Sequence, residues 1–338
     1  MNKLIGYVGT NDLHAMKVDD IKSLDIINIA FGNIKEGVIV WDHPECMDAL
    51  NRIREYNPGI KILLSVGGWS SGGFSEAAMT MQSRSRLAQS AVEVVSRYGL
   101  DGIDIDWEYP CFSVAGIGAD KADKQNYTLL MRDLREALES IEKGRYMLTT
   151  AVGGDEYFCR CTQMDKVQEY VDYVQLMTYD LRGGFQTFTG HHTNLFSNQA
   201  DLFDASTDKA VRCFMEAGVP KEKLVIGVAF YSREWKGVCD VNHGLHQMAQ
   251  TTGGYGPNYH TLVEEYIDKN GYTRYWDEEA KAPYLFNGEH FISYDDEESI
   301  ECKAKYAKDN GLFGVMYWEY CCDHTYQLTT WIRKQLER

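Results

Sequence analysis

The sequence predicts an α/β fold: a closed TIM-type (β/α)8 barrel with a small α+β insertion between its seventh and eighth strands. Three observations lead there. Eight short runs rich in β-branched residues recur along the chain, amphipathic helical stretches separate them, and one interval is far too long for a simple crossover. The runs are Leu4–Val8, Asp25–Phe31, Lys61–Val66, Gly102–Asp106, Tyr146–Ala151, Tyr173–Met177, Leu224–Val228 and Gly314–Met316.

Between the strands, Leu87, Ala91, Val94, Val95 and Tyr98 form one helical stripe that Gly99 ends, and Tyr127, Leu130, Met131, Leu134 and Leu138 form another. Ser206 ahead of Ala210, Val211, Phe214 and Met215, with Gly218 and Pro220 behind, reads as a capped helix feeding the seventh strand. Roughly 85 residues then separate the seventh and eighth strands, against loops of 2–6 residues usual in α/β units. The expected division is therefore a barrel of residues 1–231 and 292–338 and an insertion of residues 232–291. Within the insertion a helical segment is expected at Tyr259–Lys269 and strands at Thr273–Trp276 and Tyr284–Phe286.

With 338 residues, 44% of them hydrophobic, the chain can bury one large core. A net charge of −16 repels phosphate backbones and anionic membranes, so neither nucleic acid nor membrane is an expected partner. No run of about 18 apolar residues is present, and the N-terminal stretch lacks the apolar core of a signal peptide. A cytoplasmic location is expected for the sequence as it stands, and a secreted one if a leader has been removed. Nine cysteines without a framework read as free thiols in a reducing compartment. Cys159-Arg160-Cys161 and Cys321-Cys322 lack the paired spacing of zinc sites, so no metal is expected.

The chemistry concentrates at Asp104-Ile105-Asp106-Trp107-Glu108, where carboxylates occupy alternate positions. A strand projects residues i, i+2 and i+4 onto one face, and three carboxylates that close cannot all ionise. In a barrel, reactive groups sit at the C-terminal strand ends, which places Asp104 deepest, Asp106 above it and Glu108 at the mouth. Repulsion and desolvation then suit Glu108 to act as a general acid.

Asp101-Gly102-Ile103-Asp104-Ile105-Asp106-Trp107-Glu108-Tyr109-Pro110 resembles the fourth-strand motif of family 18 glycoside hydrolases, the chitinases and their relatives. Ser65-Val66-Gly67-Gly68-Trp69, Gln175-Leu176-Met177-Thr178-Tyr179-Asp180, Gly227 to Arg233, and Gly314-Val315-Met316-Tyr317-Trp318-Glu319 are similar to that family's third-, sixth-, seventh- and eighth-strand segments. Ser293-Tyr294-Asp295-Asp296 resembles the segment that re-enters the barrel after the chitinase insertion domain of subfamily A.

This resemblance implies a retaining, substrate-assisted hydrolysis of β-1,4-linked N-acetylglucosamine in chitin or chito-oligosaccharides, with no cofactor. It implies that Glu108 is the acid, that Asp106 orients the acetamide N–H, that Asp104 holds the proton that lets Asp106 turn, and that Tyr179 bonds the acetamide oxygen. Substrate-binding roles are implied for Tyr7, Phe31, Trp69, Trp107, Met177, Asp180, Tyr231, Arg233 and Trp318, the aromatics because sugars offer an apolar ring face. Non-proline cis bonds are implied at Ala30–Phe31, Glu108–Tyr109 and Trp318–Glu319, and a monomer is assumed. His191 and His192 are expected to have structural or substrate-contact roles only. Peptidoglycan or N-glycan substrates would suit the same acetamide chemistry. A sugar-binding lectin is the third reading, disfavoured because Glu108 is retained.

Overall fold

The computed structural model describes residues 2–338. Eight parallel strands close on themselves: β1 (Lys3–Gly9), β2 (Ile26–Lys35), β3 (Lys61–Gly67), β4 (Gly102–Asp106), β5 (Met147–Gly153), β6 (Val174–Met177), β7 (Leu224–Ala229) and β8 (Gly314–Trp318). Each pairs with its sequence neighbour, and β1 joins β8 with Lys3 opposite Gly314, which seals the barrel. The expected strands are all present. The second is longer than its sequence run, because it continues into a hairpin with Val38–Val40.

Alternation along these strands divides the apolar side chains into two clusters. Ile5, Tyr7, Ile26, Leu63, Tyr173, Val225 and Met316 fill the barrel interior. Leu4, Val8, Ile27, Ile62, Ile103, Ile105 and Leu148 face outward into the larger core shared with the helices. The interior departs from the apolar packing usual in such barrels: Asn28, Ser65, Asp104, Thr149 and Gln175 are all fully buried there.

The helices follow their sequence signals. Met81–Tyr98 starts at Thr80 in a reciprocal capping box with Ser83 and ends at Gly99, whose φ of +61° favours glycine. Asp123–Ile141 buries Tyr127, Leu130, Met131, Leu134 and Leu138. Thr207–Glu216 is capped by Ser206, which accepts from the Lys209 N–H at 3.2 Å. Among the described residues no helix is long and apolar enough to cross a membrane.

Between β7 and β8 the chain builds a second, antiparallel sheet. Its strands run in the spatial order Gly254–Asn258, Tyr231–Trp235, Phe291–Ser293, Ala282–Phe286, Thr273–Asp277. The sheet begins at Tyr231 and ends at Ser293, just beyond the range read from sequence on both sides. The segment expected to be helical over Tyr259–Lys269 forms only a short turn, Tyr259–Thr261, running into a π-turn over Leu262–Tyr266. Trp235, Val238, Leu245, Tyr284, Phe286 and Phe291 give this sheet its own apolar cluster.

A buried ion pair ties the sheet's exit to the barrel. Lys303 donates to Asp295 at 2.6 Å with both side chains fully buried, and Asp295 also accepts from Thr193 at 2.8 Å and from the Ala229 N–H at 3.1 Å. The remaining carboxylate oxygen accepts from Ser299 at 2.7 Å, so the buried charge is fully hydrogen-bonded.

Candidate active site

β4 places its carboxylates as the alternation requires. Asp104 and Asp106 point into the barrel, fully and almost fully buried, and Glu108 stands at the rim with 9% exposure. The intervening side chains point the other way. Trp107 is 1% exposed and stacks on Phe74, ring centroids 5.3 Å apart, in the outer core. This corrects its expected role in substrate binding: one residue after Asp106 on an extended chain lies on the opposite face.

Asp104 is held by four donors. The Tyr7 hydroxyl at 2.8 Å and Ser65 at 2.7 Å bond one oxygen; Thr149 at 2.7 Å and the Gln175 amide at 2.9 Å bond the other. Gln175 also donates to the Tyr7 oxygen at 2.9 Å and accepts from Asn28 at 3.0 Å. β1 to β6 thus each contribute one side chain to a closed network. Burial holds the pKa of Asp104 above its ordinary value, and the hydrogen bonds from Thr149, Ser65, Tyr7 and Gln175 offset that push only in part.

Asp106 has the opposite surroundings. Its buried Oδ1 has no hydrogen-bond partner among the described residues. Burial first, then the charges of Glu108 and Asp104, push its pKa well above the carboxylate range. The upward push is therefore stronger on Asp106 than on Asp104. Glu108 is pushed up to about 7, chiefly by burial, with Asp180 adding repulsion and the Tyr109 hydroxyl opposing it.

Aromatic side chains line the mouth above the ladder. Trp318 stacks on Phe31 at 5.3 Å and 21° and leans on Tyr7 at 5.7 Å, with Met177 packed in the same interior cluster. Among the described residues the Tyr179 hydroxyl has only the Met316 sulfur as partner, at 3.7 Å, a weak acceptor that a ligand oxygen can replace. The peptide bonds Ala30–Phe31, Glu108–Tyr109 and Trp318–Glu319 are cis, as the resemblance implied. Trp69 is 48% exposed and meets Tyr109 at 6.5 Å and Phe185 at 6.4 Å, so the loops after β3, β4 and β6 bring three aromatics together.

On the other side stands Asp180, with φ +56°. Arg233 grips it through Nε at 2.7 Å and Nη2 at 2.5 Å, and the Tyr231 hydroxyl donates at 2.8 Å. Burial would raise the Asp180 pKa, but His192 and the Arg233 fork carry it well below the usual range. The Arg233 guanidinium lies 3.8 Å from the Tyr255 ring centre. His192 is buried behind this group, 3.6 Å from Asp180, and burial lowers its pKa. His191 is bonded elsewhere, to Asp277 at 3.0 Å.

Sequence reasoning missed Asn28, Ser65, Thr149 and Gln175 as site residues, although each falls in an inward phase of its strand. Phe185, 78% exposed, sits on a loop, and Tyr255, 69% exposed, on the strand Gly254–Asn258; neither carries a periodic signal. Two clusters among the described residues, His43/Glu45/Cys46 and Glu319/Cys321/Cys322, bring possible metal-ligand atoms within 4.8 Å of one another. Neither includes the ladder.

Comparison with known proteins places this geometry. The model of the family "Glycosyl hydrolases family 18" matches residues 3–323. The chain is 37% identical over 318 residues to Chitinase A1 of Niallia circulans, covering 88% of this chain and 46% of that protein. It is 30% identical to chitotriosidase-1 of Mus musculus, covering 85% of this chain and 66% of that one. A solved family 18 N-acetylglucosaminidase from Paenibacillus barengoltzii superposes with a TM-score of 0.98 at 54% identity, covering 99% of this chain and all of that one.

Proposed function

Because the chain belongs to glycosyl hydrolase family 18, we propose that it cleaves β-1,4 bonds between N-acetylglucosamine units of soluble chito-oligosaccharides, with retention at the anomeric carbon. The second sheet over Tyr231–Ser293 supports placing it with the subfamily A enzymes. One observation carries the reading: a single strand run presents a four-fold bonded Asp104, an Asp106 with no partner among the described residues, and a rim acid that holds its proton to about pH 7.

Glu108 donates that proton to the bridging oxygen as the bond to the anomeric carbon breaks. Neither aspartate is free to attack, since Asp106 is nearly buried and Asp180 is clamped by Arg233. The acetamide oxygen of the substrate takes the anomeric carbon instead, giving an oxazolinium ion. Asp106 turns to bond the acetamide N–H, its proton passing to Asp104 below, and as a carboxylate it stabilises the cation, while Tyr179 donates to the acetamide oxygen. Glu108, now a carboxylate, takes a proton from the water that opens the ring. Trp318 supplies the floor under the reacting sugar, and Trp69 and Phe185 supply a platform for the leaving group.

The likeness to an N-acetylglucosaminidase over the whole chain favours a second reading of product size: release of single sugars rather than internal cleavage. Incubation with chitotetraose, chitin, peptidoglycan and a high-mannose glycoprotein, with analysis of early products, tests both. Monosaccharide as the first product from chitotetraose supports terminal action and disaccharide supports internal action. Turnover of the glycoprotein alone overturns the substrate assignment. An N-acetylglucosamine-derived thiazoline is expected to inhibit competitively, and failure to inhibit would remove substrate assistance.

A further inference from the structure

Four of the nine cysteines converge on the loops after β4 and β5 and on the helix before β7. The short helix Glu156–Arg160 carries Cys159, whose Sγ lies 3.6 Å from that of Cys213 on Thr207–Glu216. Cys161, just past that helix, faces the other way, where the Cys111 thiol donates to its carbonyl oxygen at 3.6 Å. Both members of the closer pair are partly exposed and neither is in a disulfide. To bond, the sulfurs must close from 3.6 Å to about 2.05 Å.

We propose that Cys159 and Cys213 form an oxidisable dithiol that reacts with low-molecular-weight disulfides to close an intramolecular disulfide. The thiolate of one cysteine attacks the small disulfide, forming a mixed disulfide and expelling one small thiolate. The second cysteine attacks the protein-bound sulfur and expels the other. Two electrons pass from the protein to the small disulfide, and the two cysteine protons end on the two released thiols. Burial raises the pKa of both groups, with each sulfur affected by the other's proximity, so the first attack is slow at neutral pH and quickens in mild alkali.

The bond would fasten a segment that supports the active site from below. Asp155 caps the short helix by accepting from the Phe158 N–H at 2.9 Å, and Phe158 packs edge-on against Tyr109, the neighbour of Glu108, at 6.2 Å. The link would also close a loop of 54 residues' separation, long enough to restrict the unfolded chain and raise the melting temperature by several degrees.

The test uses the full chain with oxidised glutathione at about pH 8.5, near the ordinary thiol pKa, then blocking of free thiols, trypsin digestion and mass spectrometry. Trypsin cuts after Arg160, separating Cys159 from Cys161, so the proposed bond joins Tyr146–Arg160 to Cys213–Lys221. That linked peptide, with loss of two hydrogens, is the expected result. It should be absent in Cys213→Ser, which should instead retain glutathione on Cys159, and reduction should reverse the rise in melting temperature. The exposed Cys239 reports that oxidant has reached the protein. If Cys239 is fully glutathionylated while Cys159 and Cys213 remain free, or if Cys159 links to Cys161 or Cys111, the proposal fails.

Discussion

The side-chain amide of Gln175 donates to Asp104 at 2.9 Å across the barrel interior and, from the same nitrogen, to the Tyr7 hydroxyl oxygen at 2.9 Å. One residue on β6 thereby fixes both the base of the carboxylate ladder and the hydroxyl that bonds it. Gln175→Leu removes one of the four donors from Asp104 and leaves the Asn28 amide without its acceptor. Each buried polar group so orphaned costs about 1–3 kcal/mol, to be measured as a lower urea midpoint. With one donor lost, the proton balance between Asp104 and Asp106 shifts, so kcat should fall about tenfold or more while KM stays near wild type. A rise in KM alone would place Gln175 in substrate binding and contradict this account.

The elevated proton affinity of Glu108 ties stability to pH with a definite sign. Its folded-state pKa of about 7 lies above the unfolded value, so between those values the folded form holds more protons and stability falls as pH rises. The stabilisation is fully present below the ordinary glutamate pKa of 4.5, and its loss is complete somewhat above pH 7. The span between the two values corresponds to about 3 kcal/mol. Glu108→Gln has nothing to ionise there, so relative to wild type it should gain stability across the range from about pH 5 to about pH 8, as followed by denaturant unfolding. Its kcat should drop by about 10²–10⁴ with oligosaccharide affinity retained in calorimetry. Parallel stability curves for the two proteins would show that Glu108 titrates normally.

The same proton sets the alkaline limb of activity. In free enzyme Glu108 must be protonated to act as the acid, so kcat/KM should decline above about pH 7. Asp180, held well below the usual carboxylate range, stays ionised throughout and adds no limb near neutrality. Initial rates on a soluble oligosaccharide across acid, neutral and alkaline buffers decide this. A profile still flat two units above neutrality would remove Glu108 from the proton-donating role.

Arg233 acts on the cleft through Asp180. Its planar fork makes two bonds to one carboxylate while its face covers Tyr255, a geometry a lysine ammonium cannot reproduce. Arg233→Lys should loosen Asp180 at the rim, raising KM about tenfold, equivalent to about 1.4 kcal/mol, with a smaller change in kcat. Steady-state kinetics on chitotriose reads the split. A loss confined to kcat would mean that Arg233 bears on the chemical step instead.

How much of this could be read from sequence follows from the range of each interaction. The ladder on β4, the caps at Gly99 and Ser206, and the apolar stripe of Asp123–Ile141 are set within a few residues, and all are legible in the sequence. The network beneath the ladder joins Asn28 to Gln175 and Tyr7 to Gln175 across 147 and 168 residues, and no local pattern encodes it. In the second sheet, Gly254–Asn258 contains two glycines and a proline and reads as a turn. It forms a strand only because Tyr231–Trp235 pairs with it, through a bulge between Tyr255 and Asn258. The helix expected over Tyr259–Lys269 is α-helical only over Tyr259–Thr261 and then widens into the π-turn Leu262–Tyr266, where the Ile267 N–H bonds back to the Leu262 carbonyl at 2.8 Å.

Trp107 shows how a motif can mislead when the strand period is set aside. It sits between two ladder carboxylates in sequence, yet its ring is clamped between Phe74 at 5.3 Å and Tyr127 at 5.8 Å, on the helix side of β4. Its contribution is therefore to packing, and Trp107→Ala should cost about 3–5 kcal/mol, the range for emptying an aromatic site in a core. The same variant, assayed well below its lowered melting temperature, should keep the wild-type KM for chito-oligosaccharides within about twofold, because no sugar reaches the ring. Denaturant unfolding and steady-state kinetics on one preparation separate the two effects. Unchanged stability with a raised KM would return Trp107 to the cleft and would mean that β4 does not present Asp104, Asp106 and Glu108 on a common face.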